Sequence, residues 1–316
     1  MFVLCRLLFG DGQLNIHIER FFCFYTEKYL LAMVQIDFME FLNKKKTIMP
    51  AAQMMQFQEL KERMTEFLDR DFFSLVIQPV VDFQNNAVFE GEVLSRLEHP
   101  ERGVIFPDVF LTVIEALDLY YRFDLYIFRK SCVWLQKSLA EGEKMDCISC
   151  NFSRKTLSGS TIAQDLIRLA NNYGVSHDRL AVEITERDQN ENEPQLIENL
   201  KTLKAAGFRI ILDDYGTGVT SMNDLLNYPL DIVKIDRSVL QNAKSEEEKE
   251  AFRALVTSFI DLGTDVVCEG IETSEQDEFV RSTGCRYGQG FYYFKPMRHD
   301  QFFGMIRERS LAGENK

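Results

Sequence analysis

The chain has 316 residues, with 36 Lys and Arg against 49 Asp and Glu, for a formal net charge of -13. Its 46% apolar content supports a sizeable core, and its length suits one large domain with an appendage, or two domains. These figures exclude a disordered chain, a collagen-like repeat and a disulfide mini-protein. The acidic balance argues against a polynucleotide-binding surface, which needs clustered Lys and Arg.

Residues 1–50 are rich in Phe and Leu without clear periodicity and read as a small helical appendage. Met1 to Gly10 is apolar, but no small-residue cleavage site follows it. Tyr29 to Leu42 is interrupted by Gln35, Asp37 and Glu40 and is too short for a bilayer span of ~20 residues. No membrane span is expected, and the cytoplasm is the expected compartment. Seven scattered cysteines, an odd number, suit a reducing compartment. Cys147-x-x-Cys150 falls in a run that reads as a strand, where residues three apart face opposite sides, which argues against a shared zinc or redox site.

From Gln53 to Leu68 the apolar residues Phe57, Leu60, Met64 and Phe67 are spaced as an amphipathic helix. Its seam either packs on the domain that follows or pairs with another chain. From Phe72 onward, short apolar runs alternate with helical stretches. The predicted strands are Ser74–Gln78, Ala87–Leu94, Cys147–Asn151, Leu180–Ile184, Arg209–Asp213, Ile232–Ile235, Asp265–Cys268 and Gly288–Tyr292. Helical patterns between them include Ser160–Tyr173, Pro194–Ala206, Ser245–Leu262 and Ser274–Thr283. This alternation predicts an α/β fold, a (β/α)8 TIM-like barrel. Its start is irregular, because the first two strands have little between them and read as an antiparallel hairpin. The domain limits expected are 1–70 for the appendage and linker helix, 71–309 for the barrel, and 310–316 for a tail. The run Glu246 to Glu248 reads as the start of a helix, where negative charge suits the helix dipole.

Polar residues end or interrupt the apolar runs: Glu92, Asn151, Glu183, Asp213, Asp214, Lys234, Glu269 and Gln289. A barrel of this kind builds its site at the C-terminal rim from the ends of different strands. Period-2 alternation turns Ser149, Asn151, Glu183, Lys234, Asp236 and Glu269 inward, leaving Ile148, Cys150, Val233, Ile235, Val266 and Cys268 to face the helices. Several carboxylates in one small space repel one another, and divalent cations resolve that repulsion. An all-oxygen donor set selects hard ions, Mg2+ or Mn2+, over zinc. None of the four His (His17, His99, His177 and His299) falls at a predicted strand end. Two ions sharing one Asp would suit in-line phosphoryl displacement.

These residues stand in an order that resembles the EAL-domain family of cyclic-di-GMP phosphodiesterases, over about Phe72 to Arg307. Glu92-Val93-Leu94-Ser95-Arg96 is similar to the family's E-A-L-x-R, and Ile77-Gln78-Pro79-Val80 to its QPI element. Asn151-Phe152-Ser153, Glu183-Ile184-Thr185-Glu186, Asp213-Asp214-Tyr215-Gly216-Thr217-Gly218, Lys234-Ile235-Asp236, Glu269-Gly270-Ile271-Glu272 and Gly288-Gln289-Gly290 follow in family order.

The resemblance implies metal-dependent hydrolysis of cyclic-di-GMP to linear pGpG with two ions, Mg2+ or Mn2+. Glu92, Asn151, Glu183 and Asp213 would hold one ion; Asp213, Asp214 and Glu269 would hold the other. Lys234 would position the attacking water, making Lys234, Glu269 and Glu92 the catalytic set. Arg96 would meet a ligand phosphate, and Gln289 and Asp236 would line the substrate. Glu186, Thr217 and Glu272 would support the loops around the ligands. Family habit, with the helical seam, implies a homodimer. The chain departs from the family at Val93 (usually Ala), at Glu90-Gly91 (usually Gly, then an aromatic), and at Val219 to Met222. The competing expectations are a catalytically weak cyclic-di-GMP receptor that signals through the first 70 residues, and an unrelated barrel metallohydrolase.

Overall fold

The structure, a computed structural model, describes residues 51–142, 147–185, 193–217, 225 and 227–313, with side chains from residue 55 to residue 307. The readings made on residues 1–50, on Glu186 and on Val219 to Met222 lie outside the described residues. The chain divides into two compact units, Met1–Gln58 and Glu59–Lys316. In the first, the described residues are the opening turns of helix α1 (Ala51–Asp69).

In the second unit, the apolar spacing of α1 buries Leu60, Met64 and Phe67 completely. Phe67 meets Phe72 and His99 edge-on, each at 5.3 Å. Glu59 accepts a hydrogen bond from Arg102 Nε at 2.9 Å. The seam is therefore consumed by packing within this unit.

Strands β1 (Phe73–Asp82) and β2 (Ala87–His99) form the antiparallel hairpin that the short gap between them predicts. A register shift at Val80/Val81 skips Phe89 in the pairing. The Phe89 ring instead stacks on Tyr287 at 4.1 Å. A third short strand, β3 (Gly103–Ile105), folds back on β2. After it come α2 (Pro107–Ala116), α3 (Tyr120–Ala140), β4 (Cys147–Phe152), α4 (Arg154–Leu157), α5 (Ile162–Asn172), β5 (Leu180–Thr185), α6 (Glu193–Ala206), β6 (Arg209–Tyr215) and β7 (Ile232–Ile235). The chain then continues through α7 (Arg237–Asn242), α8 (Glu246–Asp261), β8 (Asp265–Cys268), α9 (Ser274–Ser282), β9 (Tyr287–Gly288), β10 (Met297–Arg298) and α10 (His299–Gly313).

From β2 through β4, β5, β6, β7 and β8 to β9 every neighbouring pair is parallel, and β1 closes the ring antiparallel to both β2 and β9. The result is a closed eight-stranded barrel with one reversed strand. The predicted last strand, Gly288–Tyr292, is corrected to Tyr287–Gly288. The chain turns sharply beyond Gln289, where the Tyr293 and Phe294 amides donate to the Gly290 carbonyl at 3.1 and 3.0 Å.

Parity separates two cores. Val80, Cys147, Ala181, Ile211, Ile232, Val267 and Tyr287 fill the barrel interior as an apolar floor, with Phe89 packed against them. Leu212, Val233, Ile235, Val266 and Cys268 face outward onto Phe252, Val256 and Phe259 of α8 and Val280 of α9. Cys147 and Cys150 thus lie on opposite sides of β4. Cys147 packs in the floor, while Cys150 donates to Ser131 Oγ of α3 at 3.3 Å. The acidic run opens α8 through a reciprocal cap. Ser245 Oγ accepts from the Glu248 amide at 3.2 Å, and Glu248 Oε2 accepts from the Ser245 amide at 2.8 Å.

The segment beyond β9 has room only for glycine at 290. A Cβ there would lie 2.0 Å from the Ile271 carbonyl oxygen and 2.4 Å from its nitrogen, and this backbone is fixed by hydrogen bonds to Gln289 and Tyr292. We predict that Gly290→Ala destabilises the fold by about 1–3 kcal/mol, the usual cost of overpacking, measured as a lowered midpoint in urea. An unchanged midpoint would show that the segment gives way freely.

Candidate functional site

The floor ends where β2, β5, β6, β7 and β8 turn polar. Lys234 on β7 is 1% exposed, and its ammonium is surrounded by carboxylates from three other strands and from Glu269, just past the end of β8. Nζ lies 2.9 Å from Glu92 Oε2, 2.8 Å from Glu269 Oε1, 3.3 Å from Glu183 Oε2 and 3.5 Å from Asp213 Oδ1. Two amides complete the ring on Glu92. Gln289 Nε2 donates to Oε2 at 2.8 Å and Asn151 Nδ2 donates to Oε1 at 3.2 Å. Strand register brings the residues level: Asn151 is paired with Glu183, and Thr185 with Asp213.

Charge does not balance here. One ammonium faces four carboxylates, and a fifth, Asp214, sits beside them. Asp214 holds a left-handed φ of 58°, and oxygens of Asp213, Asp214 and Glu269 lie within 4.8 Å of one another. Glu183 Oε1 is buried without a hydrogen-bond donor, while Asp213 Oδ1 has only the Lys234 ammonium at 3.5 Å. Buried anionic oxygens with no donor are costly unless a cation meets them. The donor set is oxygen throughout, so the residues present fit divalent cations.

The electrostatics follow from burial against one positive charge. Burial pushes the Glu269 carboxyl up to about 8, against the pull of Lys234 and with the help of Asp213 and Glu92. Burial raises Asp213 to about 6 and Glu183 well above the ordinary range. Glu92 is held below the ordinary range: burial would raise it, but the Lys234 charge and hydrogen bonds from Lys234, Gln289 and Asn151 prevail. Burial would lower Lys234, yet the surrounding acids hold it well above the usual lysine range.

Glu90 lies buried in the barrel. Its carboxyl is pushed up to about 6 by burial, which outweighs Ser149, Lys234 and Arg209, while Glu92 adds to the rise. Arg96 stands further along β2, half-buried. Its Nη1 donates to the Ser95 carbonyl at 2.8 Å, and its guanidinium lies 5.0 Å from the Phe106 ring centroid.

The structure thus brings together Glu92, Asn151, Glu183, Asp213, Asp214, Lys234, Glu269 and Gln289. Asp236 stands just past the end of β7 at Ile235 and caps α7, its Oδ1 accepting from the Ser238 amide at 2.9 Å. Thr217 is half-buried in the turn after β6, where its amide donates to the Asp214 carbonyl at 3.2 Å. Glu272 is exposed, its amide donating to Gln276 Oε1 at 2.8 Å. Sequence reasoning missed Arg154, a buried arginine at the rim. Its one signal was a cation directly after Asn151-Phe152-Ser153.

The chain belongs to the EAL domain family, which it matches over residues 61–296. It is 28% identical over 240 residues to the cyclic di-GMP phosphodiesterase NbdA of Pseudomonas aeruginosa, covering 76% of this chain and 31% of that protein. It is 28% identical over 236 residues to the cyclic di-GMP phosphodiesterase RocR of the same organism, covering 74% of this chain and 60% of that protein. The PaMucR phosphodiesterase, solved as a complex with c-di-GMP, superposes with a TM-score of 0.72 at 28% identity, over 77% of this chain and 99% of that one. The chain spans less than two thirds of the length of NbdA and RocR. Among the described residues, no helix is long and apolar enough to cross a membrane.

A stability profile tests the electrostatics. In the unfolded chain Glu269 ionises near ~4.3, whereas in the fold it keeps its proton up to about 8. The folded state therefore binds the extra proton, and stability falls as pH rises between these values. We predict that the metal-free protein melts lower at pH 8 than at pH 6, by roughly 2–4 °C for each kcal/mol lost. Added Mn2+ should restore the difference and release protons on binding. A flat metal-free profile would contradict the assignment.

Proposed function

We propose that this chain is a metal-dependent cyclic-di-GMP phosphodiesterase that hydrolyses one phosphodiester bond and releases linear pGpG. The observation that carries the reading is the Lys234 ammonium set among Glu92, Glu183, Asp213 and Glu269, with a donor-free oxygen left on Glu183. The names of its relatives NbdA and RocR, and the c-di-GMP held by the PaMucR phosphodiesterase, support the choice of substrate.

Glu92, Asn151, Glu183 and Asp213 would hold one ion, and Asp213, Asp214 and Glu269 the second, with Mg2+ or Mn2+ favoured by the oxygen donors. When bound, such ions lower the pKa of water and offset charge on the phosphate. The chain's own residues do the rest. Lys234 keeps its proton at Nζ and orients a water toward the phosphorus. Gln289 and Asn151 hold the Glu92 carboxylate in one rotamer through their amide hydrogens. Arg96 presents a guanidinium whose planar fork matches phosphate oxygens, and charge developing there in the transition state is stabilised by it. Phe106 steadies that guanidinium from one face.

The protein is proposed to act in the cytoplasm and as a homodimer. Since Leu60, Met64 and Phe67 are covered within the barrel unit, the dimer uses another face.

Purified protein incubated with cyclic-di-GMP and Mn2+ or Mg2+ should yield pGpG on chromatography. Chelator should abolish the product, and Glu92→Gln should lower the rate by at least about 100-fold, in line with losing a ligand that is also held by the general machinery. Tight binding of cyclic-di-GMP without turnover would favour a receptor instead.

A further inference from the structure

Arg154 is the first residue of α4, capped by Ser153 and three residues beyond Asn151. It is 5% exposed, although arginine is almost never buried unless its donors are used. Its donors are used across the rim. Nε donates to the Thr185 carbonyl at 3.1 Å. Nη1 donates to the Tyr228 hydroxyl at 2.9 Å, and the guanidinium lies 5.5 Å from that ring's centroid. Nη1 also lies 3.7 Å from Glu193 Oε2 in the first turn of α6, and the Tyr228 hydroxyl passes its own proton contact to Glu193 Oε1. Tyr228 is itself 5% exposed and precedes β7 by a short stretch of chain.

The partners of this clamp are not neutral scaffolding. Thr185 is the last residue of β5, two beyond Glu183, and its register partner on β6 is Asp213. Asn151 lies on the strand that leads directly into Arg154, and Lys234 lies on the strand that follows Tyr228. One guanidinium therefore ties the ends of β4 and β5 to the approach of β7, the strands that carry Asn151, Glu183 and Lys234. Planar donors in a fixed fork set distances between their acceptors in a way a flexible ammonium does not.

We infer that Arg154 is a positioning residue for the metal centre. Through the Thr185 carbonyl and the Tyr228 hydroxyl it fixes the ends of β4 and β5, which carry Asn151 and Glu183, against the segment that enters β7, without touching ligand or substrate. The inference rests on the metal centre assigned under the phosphodiesterase reading, and it goes beyond that reading by naming a residue outside the ligand set.

The test is calorimetric titration of the full chain with Mn2+ alone, beside thermal melts, for wild type, Arg154→Met, Arg154→Lys and Tyr228→Phe. Loss of a group bonded directly to a metal ligand typically weakens a metal by about 10–100-fold, and a positioning residue one bond further out should reach the lower part of that range. Arg154→Met should fall there, with Arg154→Lys and Tyr228→Phe intermediate, because each keeps part of the clamp. Should Arg154→Met fail to fold, the two milder variants carry the test. Mn2+ affinity equal to wild type in every folded variant, even with lowered melting temperatures, would reduce Arg154 to a structural brace and overturn the inference. Wild type that binds no Mn2+ would overturn the metal centre and this inference with it. Wild type that binds Mn2+ but does not turn over cyclic-di-GMP, with the variants weakened, would sink the reaction and leave the positioning role standing.

Discussion

The constraint on which this molecule depends is a buried ammonium outnumbered by carboxylates. Lys234 sits at the centre of the barrel mouth, within 3.5 Å of four acids delivered by β2, β5, β6 and the residue just past β8. Taking any one of these charges out of water would cost several kcal/mol. Together they are tolerated because each acid shares the ammonium and Glu92 takes two further amide donors. The arrangement remains negative overall. The interior favours cations, and Glu183 Oε1 is a buried anionic oxygen with no donor.

The rest of the architecture serves that mouth. The floor of Val80, Ala181, Ile211, Ile232 and Val267, with Phe89 stacked on Tyr287, packs apolar side chains inside the barrel. Closure by the reversed β1 brings β2 and β9 to the same side, so that Gln289 can reach Glu92 across the sequence. Outside the ring, the Arg154 clamp joins the Thr185 carbonyl, the Tyr228 hydroxyl and Glu193. The ring sets the charge, the floor its depth, and the clamp its width.

Much of this was legible in the sequence because alternation in short parallel strands leaves few choices. Ile232-Val233-Lys234-Ile235 has one polar residue, and its neighbours' burial against α8 can only turn Lys234 inward. The same logic places Glu183, and it still holds at Glu269, one residue past the end of β8. Past a strand's last residue, other demands enter. Asp236 keeps the parity of Lys234 and also caps the helix that follows. Likewise Gly288 to Tyr292 has strand-like composition, but the contact of Gly290 with Ile271 and the turn beyond it cut the strand short. Arg154 was invisible for a different reason. Its partners, Thr185, Glu193 and Tyr228, are separated in sequence and include a backbone carbonyl, so only barrel closure reveals them.

Anomalous scattering from crystals grown with Mn2+ addresses the central claim most directly. Two peaks are predicted, one among Glu92, Asn151, Glu183 and Asp213, and the other among Asp213, Asp214 and Glu269. An intact barrel with no manganese in its mouth would contradict the account.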